Sequence, residues 1–212
     1  QWTGKKSFGG ECLHKIDLAP GEKNPYQKVI DVIGRTLVSF DDDNFIPAFG
    51  FGDISTSDKS VFPFLPDRPC NGFEEVLLRY NEITPRVAMS GPTNFAPAID
   101  AAVEIVKQTE SYHILVIIAD GQVTNKEKTV RAIMEASNYA LSIIMVGVGD
   151  GPWDTMEEFD DGLPERRFDN FQFVNYTKVV AENPHNPDVA FAIAALMEIP
   201  EQYEAIRKLK FI

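Results

Sequence analysis

The sequence predicts an α/β fold, a mostly parallel sheet flanked by helices on both faces. Three observations predict it. The runs His113 to Ala119 and Leu141 to Val148 are almost continuously apolar and rich in β-branched residues, as strands covered on both sides are. Helical periodicities precede, separate and follow them, which is the alternation of an α/β chain. No linker rich in Pro, Gly or Ser and no internal repeat divides the 212 residues, so one domain is expected over 1–212.

The elements follow in order. Asn24-Pro25 opens the first helix, because Asn caps well and Pro suits the first helical position. Tyr26, Val29, Ile30, Ile33 and Leu37 then recur at helical spacing. Phe45 to Gly52 reads as an aromatic-rich strand. Val61 to Leu65 reads as a short strand at a sheet edge, since Pro63 cannot donate to a ladder. Asn71, with Glu74 three residues on, resembles a capping box ahead of Phe73, Val76, Leu77 and Tyr80. Phe95 to Lys107 is an Ala-rich helix that tolerates Pro97 in its first turn. Val130, Ile133, Met134 and Ala136 mark a helix between the two apolar strands. Phe171 to Val174 reads as a shorter strand. Asp188 to Met197 and Glu201 to Lys208 read as closing helices split at Pro200.

Charge narrows the function. Lys and Arg number 20, Asp and Glu 32, and the net charge is −12. Such a surface repels nucleic-acid phosphates and anionic lipid, and suits cations or basic partners. Two cysteines, Cys12 and Cys70, are too few for a disulfide framework or a Cys-rich zinc site, so a reduced, cytoplasmic setting is expected. The longest apolar run, Val189 to Met197, is nine residues. A membrane span needs about 20. Gln1 to Lys6 carries no apolar signal segment.

Ligands of open parallel sheets bind beyond the carboxyl ends of the strands. Three inferred strands end there in Asp beside Gly: Gly52-Asp53, Asp120-Gly121 and Gly149-Asp150. An acidic rim is therefore expected, and its hard oxygens suit magnesium, calcium or manganese. Taken singly, each Asp-Gly pair reads more simply as turn or cap chemistry. Enzyme readings find less support. Gly147 to Gly151 lacks the last Gly of the dinucleotide fingerprint, and Pro152-Trp153 crowds the turn. Gly4-Lys5-Lys6-Ser7 is not a P-loop. His14, His113 and His185 are scattered, and His113 reads as a packed residue at the start of a strand. Cys70 precedes a helix N-terminus, which can lower a thiol pKa, though a structural thiol is the simpler reading.

Ser90-Gly91-Pro92-Thr93-Asn94-Phe95-Ala96-Pro97 and Ile117-Ile118-Ala119-Asp120-Gly121 make the chain recognisable. It resembles the von Willebrand factor type A-like domain of copines, and in particular the copine-like domain of plant RING-type ubiquitin ligases. Phe49 to Asp53, Asn71 to Val76, Val146 to Asp154, Phe168 to Val174 and Ala195 to Pro200 extend the likeness over nearly the whole chain. The resemblance implies a six-stranded, mostly parallel sheet with a metal-ion-dependent adhesion site at its carboxyl edge. Thr93 matches the second-loop Thr of that site and Asp120 the third-loop Asp, holding Mg2+ or Mn2+, with Ca2+ as a further candidate. It implies no catalytic residue. The implied partner is a protein that supplies an acidic side chain to the metal.

In the family the first strand and its Asp-x-Thr-x-Ser metal loop come before the segment matching Trp2-Thr3-Gly4, so these residues are expected to lack both. Asp53-Ile54-Ser55-Thr56-Ser57 fits the related pattern Asp-x-Ser-x-Ser literally, yet no helix follows it. A turn role for Asp53, Ser55 and Ser57 is expected. The resemblance suggests two whole-protein contexts: a RING-type E3 ubiquitin ligase, or a copine with calcium-dependent phospholipid-binding domains. Either places the chain in the cytoplasm, with any contact at the plasma membrane made through other domains. The rival class is a metal-dependent hydrolase, which would need a general base near Asp120; the sequence names none, and only a pocket lined by His113 or Cys70 beside the metal would revive that reading.

Overall fold

The computed structural model describes residues 4–121, 123–163 and 166–212. Gln1, Trp2 and Thr3 lie outside the described residues. In chain order the elements are α1 (Pro25–Leu37), β1 (Phe45–Ile46), β2 (Phe49–Gly50), β3 (Phe62–Pro63), β4 (Cys70–Asn71), α2 (Gly72–Ile83), α3 (Ala96–Thr109), β5 (His113–Ala119), α4 (Lys126–Ala136), β6 (Leu141–Gly147), α5 (Asp154–Asp161), β7 (Phe171–Asn175), α6 (Tyr176–Glu182), α7 (Pro187–Leu196) and α8 (Ile199–Lys208).

β6 organises the fold because every residue in it is buried. It lies between β5 and β7, parallel to both, with His113 opposite Leu141 and Ile143 opposite Phe171. Successive side chains of a strand point to opposite faces. Leu141, Ile143 and Met145 therefore enter one core with Ile99 of α3, Ile133 of α4, Phe159 of α5 and Ile206 of α8. Ile144, Val146 and Val148 enter the other with Val29 and Ile33 of α1, Val76 of α2 and Phe191 of α7. Helices thus cover both faces, and the α/β class expected from the sequence is the observed one.

α1 begins where Asn24-Pro25 predicts. The Asn24 side chain accepts the Gln27 N–H at 2.9 Å, and the Gln27 side chain accepts the Asn24 N–H at 2.7 Å. This reciprocal pair satisfies two donors that a helix start otherwise leaves open.

Several expectations need correcting. β5 is not buried on both sides: Ile117 and Ala119 are buried and the rest of the strand is half-buried. The strand order β5-β6-β7 is the reason, since it leaves β5 bonded to a neighbour on one side only among the described strands. The parallel sheet has three described strands where the resemblance implied a six-stranded one. Phe45 to Gly52 is not one strand. Pro47 and Ala48 divide it into β1, antiparallel to β4, and β2, antiparallel to β3. The box at Asn71 is built differently too. Its side chain accepts from Asn44, and Glu75, not Glu74, takes the Asn71 N–H while pairing with Arg68. Pro200 sits in the first turn of α8 rather than in the break before it. α5 and α6 carry no signal picked out in the sequence.

Candidate functional site

Asp120 directly follows β5, so the strand sets its position. Two loops converge on it. The loop before α3 is pinned by buried Asn94, whose Nδ2 donates to Asp58 O at 2.9 Å and whose Oδ1 accepts the Ala96 N–H. The same loop meets the one after Asp120. Thr93 N–H donates to Thr124 Oγ1 at 2.9 Å, and Thr124 N–H donates to Thr93 O at 2.8 Å. Thr93 and Asp120 consequently line one cavity of about 350 Å³. That cavity runs along the open side of β5, between Ile114, Val116 and Ile118 and the Ile30 and Ile33 side chains of α1.

The Oδ2 atom of Asp120 is buried and has no hydrogen-bond partner among the described residues. Burial raises the Asp120 pKa, and the neighbouring Tyr26 hydroxyl pulls the other way. Tyr26 is itself held protonated far above its ordinary range, by burial first and by the Asp120 charge second. His14 stacks on Tyr26 with ring centroids 3.8 Å apart, and its Nδ1 lies 2.8 Å from Tyr80 Oη. Burial depresses the His14 pKa to about 4, so the imidazole is neutral near pH 7. One carboxylate oxygen of Asp120 therefore lacks a donor among the described residues. A buried acceptor without a donor is costly, and a cation or a donor relieves it.

The other two strand-end carboxylates do not share this state. Asp53 follows an antiparallel strand, not a parallel one. Its oxygens accept from the backbone and hydroxyls of Ser55 and Thr56. Burial works to raise its pKa, but these bonds outweigh it and hold the group at about 2. Ser57 contributes its N–H to the Asp53 carbonyl, so the segment is the turn the sequence suggests. Asp150 accepts the backbone N–H groups of Lys6 and Ser7, each at 2.9 Å. The acidic rim is therefore a correction. Among the described residues no group of three or more His, Cys, Asp or Glu side chains is placed to hold a metal. Thr93 and Asp120 fit part of such a site: one hydroxyl and one open carboxylate oxygen.

The enzyme candidates separate from Asp120. His113 opens β5, at the far end of the strand from Asp120. Cys70 is 1% exposed, and burial raises its thiol pKa, so the helix start does not activate it. The Trp153 ring lies against both Gly147 and Gly151, leaving no open phosphate cradle. Sequence reasoning missed His14, Tyr26 and Tyr80 as site residues. Tyr26 showed only as part of a helical stripe, and nothing in spacing links His14 to Tyr80, 66 positions away.

Known proteins resemble this chain closely. It is 54% identical to E3 ubiquitin-protein ligase RGLG2 of Arabidopsis thaliana over 100% of the chain and 48% of that protein. It is 53% identical to E3 ubiquitin-protein ligase RGLG3 of the same plant over 99% of the chain and 60% of that protein. It is 56% identical to Copine family protein 2 of Caenorhabditis elegans over 98% of the chain and 3% of that protein. The chain thus spans about half the length of the plant relatives. Among solved structures, manganese-loaded TRAP protein of Plasmodium vivax aligns with 74% of the chain and 61% of its own at 14% identity, with a TM-score of 0.49. The profile of the Copine family matches residues 12–212, and the chain belongs to the copine family.

Proposed function

We propose that this domain is a protein-interaction module. Thr93 and Asp120 help hold a divalent cation, and a partner's carboxylate completes its coordination. The observation that carries the reading is the buried Asp120 Oδ2, which has no hydrogen-bond partner among the described residues, in a cavity that Thr93 also lines. Magnesium keeps several waters and takes only one or two protein carboxylates, so a sparse donor set suits it; manganese accepts the same hard oxygens. When bound, the ion would supply a positive charge that attracts an acidic side chain across an otherwise repulsive −12 surface. The remaining ligands would come from a strand pairing with the open edge of β5, which would set its following loop beside Asp120. The side of β5 that pairs with no described strand, and the apolar cavity along β5, support that placement. We assign this domain no catalytic step. His14, which shares the cavity, spends Nδ1 on Tyr80 and is too weak a base at a pKa of about 4.

The whole protein has two contexts, both cytoplasmic. One is a ubiquitin ligase, in which this domain recognises substrate or partner; the other is a copine that meets membranes through further domains. Relatives of both names match at similar identity. Calorimetric titration of Mg2+ and Mn2+ into the chain, its Thr93→Ala variant and its Asp120→Asn variant tests the site. We expect heat of binding in the parent and none in either variant. Equal binding by all three would refute the assignment.

A further inference from the structure

A reciprocal pair of bonds joins the Thr93 loop to the loop after Asp120, and its two halves differ in kind. Thr124 N–H donates to Thr93 O at 2.8 Å, main chain to main chain. Thr93 N–H donates to Thr124 Oγ1 at 2.9 Å, main chain to side chain. Only the second half depends on a hydroxyl at position 124.

The fold anchors Thr124 through both of its chain neighbours. Val123 is buried in the same core as Phe95, two residues beyond Thr93. Asn125 caps α4: its side chain accepts the Lys128 N–H at 3.2 Å, and its carbonyl accepts from the N–H and the hydroxyl of buried Thr129. The Thr93 loop is held on its other flank by Ser90 N–H, which donates to Gly52 O at 2.8 Å, and by the Asn94 bond to Asp58. Thr93 therefore lies between two anchored segments, with the Thr124 hydroxyl on the side of Asp120. Thr124 is exposed and Thr93 half-buried, so water can replace this bond and its loss costs the fold little. Its effect is on where Thr93 stands.

We propose that Thr124 is a positioning residue of the cation site: its hydroxyl fixes the Thr93 loop to the loop after Asp120, so that both donors share one cavity before an ion arrives. The inference rests on the cation reading of Thr93 and Asp120. Donors on two separate loops otherwise have to be ordered at the moment of binding, and that ordering weakens affinity. A bond that orders them beforehand recovers it. Thr124 acts through Thr93, since its Oγ1 is already taken by the Thr93 N–H. Ser at this position keeps the acceptor, whereas Val keeps the shape and removes it.

The test compares the parent chain with Thr124→Val and Thr124→Ser in two measurements. One is the solvent-exchange rate of the Thr93 amide proton by NMR, without metal. The other is calorimetric titration with Mg2+ and with Mn2+. A melting curve like the parent's verifies the fold of each variant. We expect the Thr93 amide of Thr124→Val to exchange about three- to tenfold faster and its ion affinity to fall by a similar factor, as suits one lost hydrogen bond. Thr124→Ser should match the parent in both. The proposal is overturned if Thr124→Val binds the ions as tightly as the parent, if its Thr93 amide exchanges no faster, or if Thr124→Ser behaves like Thr124→Val. If the parent binds neither ion, the cation reading is what fails. The exchange rates alone then decide whether Thr124 fixes the Thr93 loop: faster exchange in Thr124→Val only supports it, and equal rates in all three overturn it.

Discussion

Asp120 stands apart from Asp53 and Asp150 through what its surroundings withhold. The latter two are saturated by nearby N–H and hydroxyl groups, whereas one Asp120 oxygen is buried with no hydrogen-bond partner among the described residues. The sequence showed three equivalent Asp-Gly pairs, because whether a carboxylate is saturated depends on loops folded against it. Family-like motifs did single out Thr93 and Asp120, but His14 stayed invisible until the fold brought it onto Tyr26. His14 also carries a pH prediction. Its folded pKa of about 4 lies below the ordinary 6.5, so the neutral form is the one the fold stabilises. That stability is present above pH 6.5 and is lost as pH falls through 4, by up to about 3 kcal/mol. Urea midpoints at pH 7.5 and 4.5 should therefore differ less in His14→Gln than in the parent. An equal difference in both proteins would place the acid sensitivity elsewhere.

At the scale of elements, stability rests on the two-sided strands and the cap of α1. Phe171 opens β7 at 1% exposure and meets Phe159 edge-on at 6.0 Å between ring centroids. Phe171→Ala should cost about 3–5 kcal/mol, a cavity-forming loss. Asn24→Ala should cost only about 1–2 kcal/mol, since it removes one cap and its bonds to Lys15 and Tyr80. Denaturant titration of both variants checks the order, and a larger loss at Asn24 would contradict it. Strand and helix identity was legible where a pattern is strong, as in β6 and α1. α5 was not, because its acids mask Met156 and Phe159, which mark its buried side. The half-burial of β5 was illegible for a different reason: its own residues suit a central strand, and only the lack of a second paired neighbour among the described strands makes it an edge.

For the whole molecule, net charge and sheet geometry act together. A −12 chain resists phosphate and like-charged surfaces, so an acidic partner needs an intervening cation and a basic partner does not. The carboxylate oxygen without a partner among the described residues stands at the end of β5. The most direct test of the central claim is the broadening of amide NMR signals by substoichiometric Mn2+. Our account predicts selective loss of the signals of Thr93, Asp120 and Gly121, reversed by excess Mg2+. Broadening confined to the exposed acids Asp42 and Asp43, with Thr93 and Asp120 unaffected, would contradict it.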